Sequence, residues 1–245
     1  IYPGPQVIRT PKAFPSLVPP MEGLHFWEPQ SLAELGFIVV TVDGLGTPLR
    51  SKLFHDFSYG NLGDACVEDH ITALQQLASR YPYMDLNRVG IYGHSGGGYA
   101  AVRAILSHPE FLKVAVSSSG NPVQRGYVAI WGEKYQGLPK GDNYLNAANA
   151  ELAANLEGKL LLIYGDMDDN THPAMTIQLI DALIKANKDF DLLVMPNRNH
   201  LFLHIDPYYI RKRWDYLIQH LLNQTPPKGY KIKEIDSALL MELVT

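Results

Sequence analysis

Ser95 lies in Gly93-His94-Ser95-Gly96-Gly97, a G-x-S-x-G pattern. It follows a strand-like run at residues 88–92 and opens a helix-like one over Gly96–Ser107. A chain that turns sharply from strand to helix exposes the intervening side chain, and glycines on both sides relieve the crowding. The turn also aims the free N–H groups of the helix start at the same point. Ser95 is therefore the candidate nucleophile, and the backbone N–H of Gly96 a candidate donor to an oxyanion.

A serine hydroxyl attacks only when a base takes its proton, and that base needs a carboxylate to orient it. On a strand-turn-helix scaffold of this kind the chain order is Ser, acid, His. Two later loops follow strand-like runs: Gly165-Asp166-Met167-Asp168-Asp169-Asn170 and Pro196-Asn197-Arg198-Asn199-His200. Pattern alone leaves Asp166, Asp168 and Asp169 as alternative acids. Among the nine histidines, His200 and His204 compete for the role of base. His94 adjoins the nucleophile but is expected to face away along the turn. His55, His70, His108, His172 and His220 fall in or beside helices. His200 and His204 form an H-x-x-x-H pair, but Leu201 stands where a zinc protease carries Glu. No metal and no cofactor are expected.

The elements that must hold these groups alternate regularly. Strands are predicted at 37–42, 88–92, 113–117, 159–164 and 190–195. Helices are predicted at 64–80, 96–107, 172–187 and 207–222, the last with Ile210, Trp214, Leu217, Ile218 and Leu221 on one buried stripe. Such alternation predicts an α/β fold, a mostly parallel sheet with helices on both faces, and reactive groups at the carboxyl ends of the strands. The first 35 residues are Pro-rich and read as irregular. Residues 120–158 break the alternation and read as an insertion or lid. The segment after Thr225 reads as a surface strap, with Leu239, Leu240 and Leu243 on an apolar face.

The chain has 245 residues, is 46% hydrophobic and 19% charged, and carries a net charge of -4. That is enough apolar material for a full core and excludes a disordered chain. No apolar run reaches the roughly 20 residues of a membrane helix. Without a basic patch, nucleic acid is not an expected partner. One cysteine, Cys66, allows no intrachain disulfide.

Several segments together resemble the catalytic domain of the prolyl oligopeptidase family of serine peptidases, in its dipeptidyl peptidase IV-like branch. They are Tyr2-Pro3-Gly4-Pro5, Val42-Asp43-Gly44-Leu45-Gly46-Thr47, Gly93-His94-Ser95-Gly96-Gly97-Gly98-Tyr99, Gly165-Asp166-Met167-Asp168-Asp169-Asn170, Asn197-Arg198-Asn199-His200 and Trp131-Gly132-Glu133-Lys134-Tyr135-Gln136-Gly137-Leu138-Pro139. The likeness runs over residues 1–229. It implies an α/β-hydrolase fold with the catalytic roles on Ser95, Asp168 and His200. It implies that the Tyr2 hydroxyl joins the Gly96 N–H in binding the oxyanion. It implies a proline-accepting pocket walled by Tyr127 and Trp131, with Asn170 and Arg125 holding substrate carbonyls. Two departures bear on pocket shape: Gly96 replaces a bulkier residue, and Leu201 replaces a glycine.

The resemblance further implies that residues 1–229 form the catalytic domain and 230–245 a tail. The chain opens Ile1-Tyr2 with neither Met nor a signal-peptide pattern. It is read as a piece of a longer polypeptide, with the first sheet strands and a β-propeller upstream. The implied activity is cleavage of short peptides after proline or a small residue through an acyl-enzyme. An esterase using the same three side chains, or a non-catalytic domain, are the rival readings. The implied partners are a peptide substrate and a second copy of the chain. The family likeness favours a periplasmic or exported location over a cytoplasmic one.

Overall fold

The computed structural model describes residues 1–2, 5–10, 24–63, 65–202 and 206–232. Outside these fall Pro3, Gly4, much of the Pro-rich stretch, Asp64, His204 and the tail face of Leu239, Leu240 and Leu243. The helices are α1 (Leu24–Glu34), α2 (Lys52–Asp56), α3 (Val67–Arg80), α4 (Gly96–Ser107), α5 (Ala129–Gln136), α6 (Asn143–Asn146), α7 (Pro173–Lys185) and α8 (Pro207–Leu221). The strands are β1 (Val89–His94), β2 (Leu112–Ser118), β3 (Lys159–Gly165) and β4 (Asp191–Met195). They pair in the order β1-β2-β3-β4, every pair parallel. All four therefore end on one edge of the sheet.

Alternate side chains of the central strands feed two cores. Ala115, Leu160 and Leu162 pack with Val102 and Ile105 of α4 and with Leu179 and Leu183 of α7. Val114, Val116, Leu161 and Ile163 point the other way, onto Leu32 of α1 and Tyr209 and Leu217 of α8. A strand with both faces covered has no polar side to show, which is why β2 and β3 read as continuous apolar runs.

Three expectations need correction. Among the described residues, 37–42 form no strand and pair with none of β1–β4, and Ile38 is 53% exposed. A cavity of about 310 Å³ lies between them and the outer edge of β1, lined by Phe37 and Val39 on one side and Val89 and Ile91 on the other. Among the described residues no strand fills that space, so the β-branched run has no described ladder to join. Second, the Pro-rich start is not wholly irregular, since α1 runs through Pro29. Third, α8 is turned from its predicted stripe. It buries Tyr209, Arg213, Tyr216, Leu217 and Leu221, while Ile210, Trp214 and Ile218 are half-buried.

Arg213 explains that rotation. It is only 3% exposed, pairs with Glu28 of α1, and lies 4.9 Å over the Tyr92 ring and 5.4 Å over Tyr209. A charged residue on the sheet-facing side hid that face from an apolar pattern. Residues 120–158 are packed rather than loose. The Tyr99 hydroxyl donates to Ala147 O at 2.7 Å, and buried Gln136 accepts from Leu62 N at 3.1 Å and donates to Gly60 O at 3.0 Å. Among the described residues no helix is long and apolar enough to cross a membrane.

Glu28→Gln strands the buried guanidinium without its counter-charge, and we expect a loss of about 3 kcal/mol. Urea unfolding measures it; an unchanged midpoint would contradict the role given to this pair.

Candidate active site

Ser95 follows directly on the last residue of β1 and adopts φ 57°, ψ −124°. A non-glycine residue in that region costs on the order of 1–3 kcal/mol and persists only where its surroundings impose it. Here they do: Ser95 N donates to Ser118 O at 2.9 Å and Tyr99 N to Ser95 O at 3.0 Å. The glycines are obligatory. A Cβ on Gly93 would overlap Gly97 O, and one on Gly97 would overlap Ile1 O.

The candidate acid Asp168 and candidate base His200 come from the loops after β3 and β4, and those loops are tied together. Asn197 N donates to Asp166 Oδ1 at 2.6 Å, and Met167 N to Arg198 O at 3.1 Å. Arg198 in turn pairs with Asp206 at 2.7 Å, and Asp206 caps α8 by accepting from Tyr208 N and Tyr209 N. The result brings three distant residues into line. His200 Nδ1 lies 2.9 Å from Asp168 Oδ2, and His200 Nε2 lies 2.9 Å from Ser95 Oγ. Asp168 and His200 are buried at 2% and 7% exposure. The three acids left open by pattern now separate: Asp168 faces the imidazole, Asp166 joins the loops, and Asp169 is exposed.

Burial pushes the Asp168 carboxyl up, but the hydrogen bond and charge of His200 outweigh it, with help from the Thr171 N–H, and hold it at about 2. It is a carboxylate at neutral pH. Thr171 escaped the sequence reading. Its N–H donates to Asp168 Oδ1 at 2.9 Å, and its hydroxyl lies 2.9 Å from both Ser119 O and Asp168 Oδ2 and 3.2 Å from His200 Nδ1. One hydroxyl proton serves one acceptor at a time, so it is shared between Ser119 O and the carboxylate, which also accepts the Thr171 N–H. The Asp-x-x-Thr spacing, a local turn in which the acid accepts from the chain ahead of it, was the available signal.

Tyr2 stands beside Ser95 and over Gly96. Burial pushes its phenol up, while contacts with Ser95 and the Gly96 N–H hold it down. The net rise keeps the hydroxyl protonated and able to donate. Its segment is anchored away from the site: Arg9 N donates to Asp43 Oδ1 at 2.6 Å, and His55 Nε2 bonds Pro5 O at 2.6 Å. A Cβ on Gly96 would stand 3.1 Å from the Tyr2 ring, so the glycine leaves room for the phenol.

Beside the triangle of Ser95, His200 and Tyr2 lies an aromatic wall. Tyr127 packs edge-on against Trp131 with centroids 5.4 Å apart, and its hydroxyl donates to Asn170 Oδ1 at 2.7 Å. The structure thus joins three of the four expected pocket residues. Arg125, in the turn Gln124–Gly126, is exposed and is not part of that contact network. His94 does not face away as expected. Its ring packs against His200 with centroids 4.8 Å apart.

Chemically, a hydroxyl, an imidazole and a buried carboxylate in one chain of bonds can deliver a nucleophile, with N–H and phenol donors waiting beside it. The comparisons agree with this class. The chain belongs to the prolyl oligopeptidase family of serine peptidases, whose description matches residues 23–224, and its fold is that of the α/β-hydrolases. It is 33% identical to human dipeptidyl peptidase 8 over 82% of this chain and 22% of that protein. It is 32% identical to mouse prolyl endopeptidase FAP over 71% of this chain and 23% of that protein. The crystal structure of Porphyromonas gingivalis dipeptidyl peptidase 4 superposes with a TM-score of 0.68 at 29% identity, over 74% of this chain and 26% of that one. The chain therefore spans about a quarter or less of the length of these relatives.

The Asp168 carboxyl is depressed on folding, so its stabilisation is complete above the ordinary carboxylate range and drains away as pH falls through 3.8 toward 2. We expect Asp168→Asn to remove about 1 kcal/mol of the stability lost between pH 4.5 and pH 3. Urea unfolding at the two pH values reads it; an identical pH dependence in the variant would contradict the assignment.

Proposed function

We propose that this domain is a serine peptidase that cleaves short peptides after proline or a small residue through an acyl-enzyme. The single observation that carries the reading is the unbroken chain of 2.9 Å contacts from Asp168 through His200 to Ser95. Ser95 Oγ attacks the scissile carbonyl as His200 Nε2 takes its proton. The carbonyl electrons collect on the oxygen, facing the Gly96 N–H and the Tyr2 hydroxyl. Their return breaks the C–N bond, and the departing amine takes the proton from His200. Water then repeats the sequence on the ester and frees Ser95. Asp168 stays ionised throughout and holds Nδ1–H, stabilising the imidazolium. A rigid pyrrolidine ring suits the flat wall of Tyr127 and Trp131, and Asn170, fixed by Tyr127, is placed for a substrate carbonyl.

The domain division goes with this reading: residues 1–229 as the catalytic domain, 230–245 as a tail, and a β-propeller upstream. Its support is the limited share of each relative that the chain covers. The cavity beside β1 is where a further strand of a longer chain would pair, and Ile1 N already donates to Tyr92 O at 2.7 Å on that open edge.

Hydrolysis of a Gly-Pro anilide against a short acyl ester tests the proposal. We expect anilide turnover that is lost in Ser95→Ala; turnover of the ester alone would sink the peptidase reading. Tyr2→Phe removes one oxyanion donor and should lower kcat by about a hundredfold with little change in KM. A Phe variant with wild-type kcat would remove Tyr2 from the mechanism.

A further inference from the structure

The base sits on a loop, and its two hydrogen bonds do not fully fix its ring. Bonds at Nδ1 and Nε2 lie in the plane of the imidazole and roughly along one line. The ring can pivot about that line while both bonds survive. The Cβ tether limits that pivot, and a side chain packed against the ring limits it further.

That contact is His94. It ends β1, and strand alternation places it on the same side as Tyr92, toward α8. Its ring centroid lies 4.8 Å from that of His200, with the planes tilted by 48°. It is itself held from two directions. Nδ1 is 2.9 Å from Ser118 Oγ, the residue opposite it in the parallel register of β2, and Ser118 Oγ is 2.9 Å from the Tyr209 hydroxyl of α8. Phe202, two residues beyond the base, meets the His94 ring edge-on at 5.7 Å and the Tyr209 ring at 5.1 Å. Ser118, Phe202 and Tyr209 are at most 1% exposed. The platform against the base is thus hydrogen-bonded to β2 and through Ser118 to α8, while Phe202 of the loop that carries the base packs against its edge.

We infer that His94 is a positioning residue whose flat ring, anchored through Ser118 and Tyr209, sets the plane of the His200 imidazole and so the direction in which Nε2 receives and returns its proton. The inference rests on the reading of His200 as the base. What matters is a flat face at this position rather than a second titrating group. Replacing the ring by a small side chain frees the pivot, and a misplacement of about 1 Å at a reacting centre costs about a hundredfold in rate.

The test uses His94→Ala and His94→Phe, with Ser95→Ala and His200→Gln as references and thermal unfolding to verify folding. The first reading is proton NMR of the His200 Nδ1–H that bonds Asp168, a downfield line assigned by its absence in His200→Gln. We expect the line to broaden or vanish in His94→Ala and to return in His94→Phe. The second is the rate at which a fluorophosphonate modifies Ser95, expected to fall about tenfold to a hundredfold in the Ala variant and to stay within about threefold in the Phe variant. A folded Ala variant with the wild-type line and rate overturns the inference, and so does a folded Phe variant as impaired as Ala. If the wild type itself is not modified at Ser95, the peptidase reading fails, while the NMR line still decides the role of His94. If His94→Ala does not fold, Ser118→Ala removes the anchor instead. A slower rate with a broadened line then supports the inference, and unchanged values overturn it.

Discussion

The imidazole of His200 is bonded at both ring nitrogens, to Asp168 on one side and to Ser95 on the other, and each bond is 2.9 Å long. Those two contacts join residues 105 and 32 positions away in the chain. No local propensity brings them together. The parallel sheet does, because β1, β3 and β4 all end on one edge and each hands its loop to the same point. The close fit of the last two loops follows from Gly165, where a Cβ would overlap Arg198 O, and from Asp166, which accepts the Asn197 N–H.

The surrounding structure is arranged to hold this edge in an otherwise unfavourable state. Ser95 has a strained backbone, the Asp168 carboxylate is buried, and the Tyr2 phenol is pressed over glycine. Each departure is offset nearby. The helix start and the Ser118 carbonyl fix the elbow, Thr171 and His200 satisfy the carboxylate, and Asp43 and His55 fix the segment that presents Tyr2. Strain of this kind at one edge is common where pre-organisation serves a site. The two cores beneath it, one under α4 and α7 and one under α8, supply the rigidity that makes it sustainable.

The parts of this arrangement that are local were legible in the residues. The glycine-flanked Ser95 and the runs that became β2, β3 and α4 carry their own signals in glycine placement and apolar continuity. The parts that depend on a partner were not. Residues 37–42 have the composition of a strand but no pairing partner among the described residues, so composition alone misled. Arg213 sits inside because Glu28, 185 residues away, meets it, and no periodicity in α8 announces that. The residues beside His94 in sequence carry no sign of the loop after β4 that folds back over it, so nothing in its surroundings announces the contact with His200. The choice among Asp166, Asp168 and Asp169 needed either the family likeness or the coordinates, since all three have the same chemistry and nearly the same place in the chain.

The central claim is that the hydroxyl of residue 95, and no other, is made nucleophilic by the imidazole of residue 200. Peptide mapping of the fluorophosphonate adduct by mass spectrometry tests it most directly, because Ser117, Ser118 and Ser119 lie close by and are internal competitors. The account predicts a single adduct on Ser95 in the wild type and none in a folded His200→Gln variant. An adduct on another serine, or undiminished modification of Ser95 without the imidazole, would contradict it.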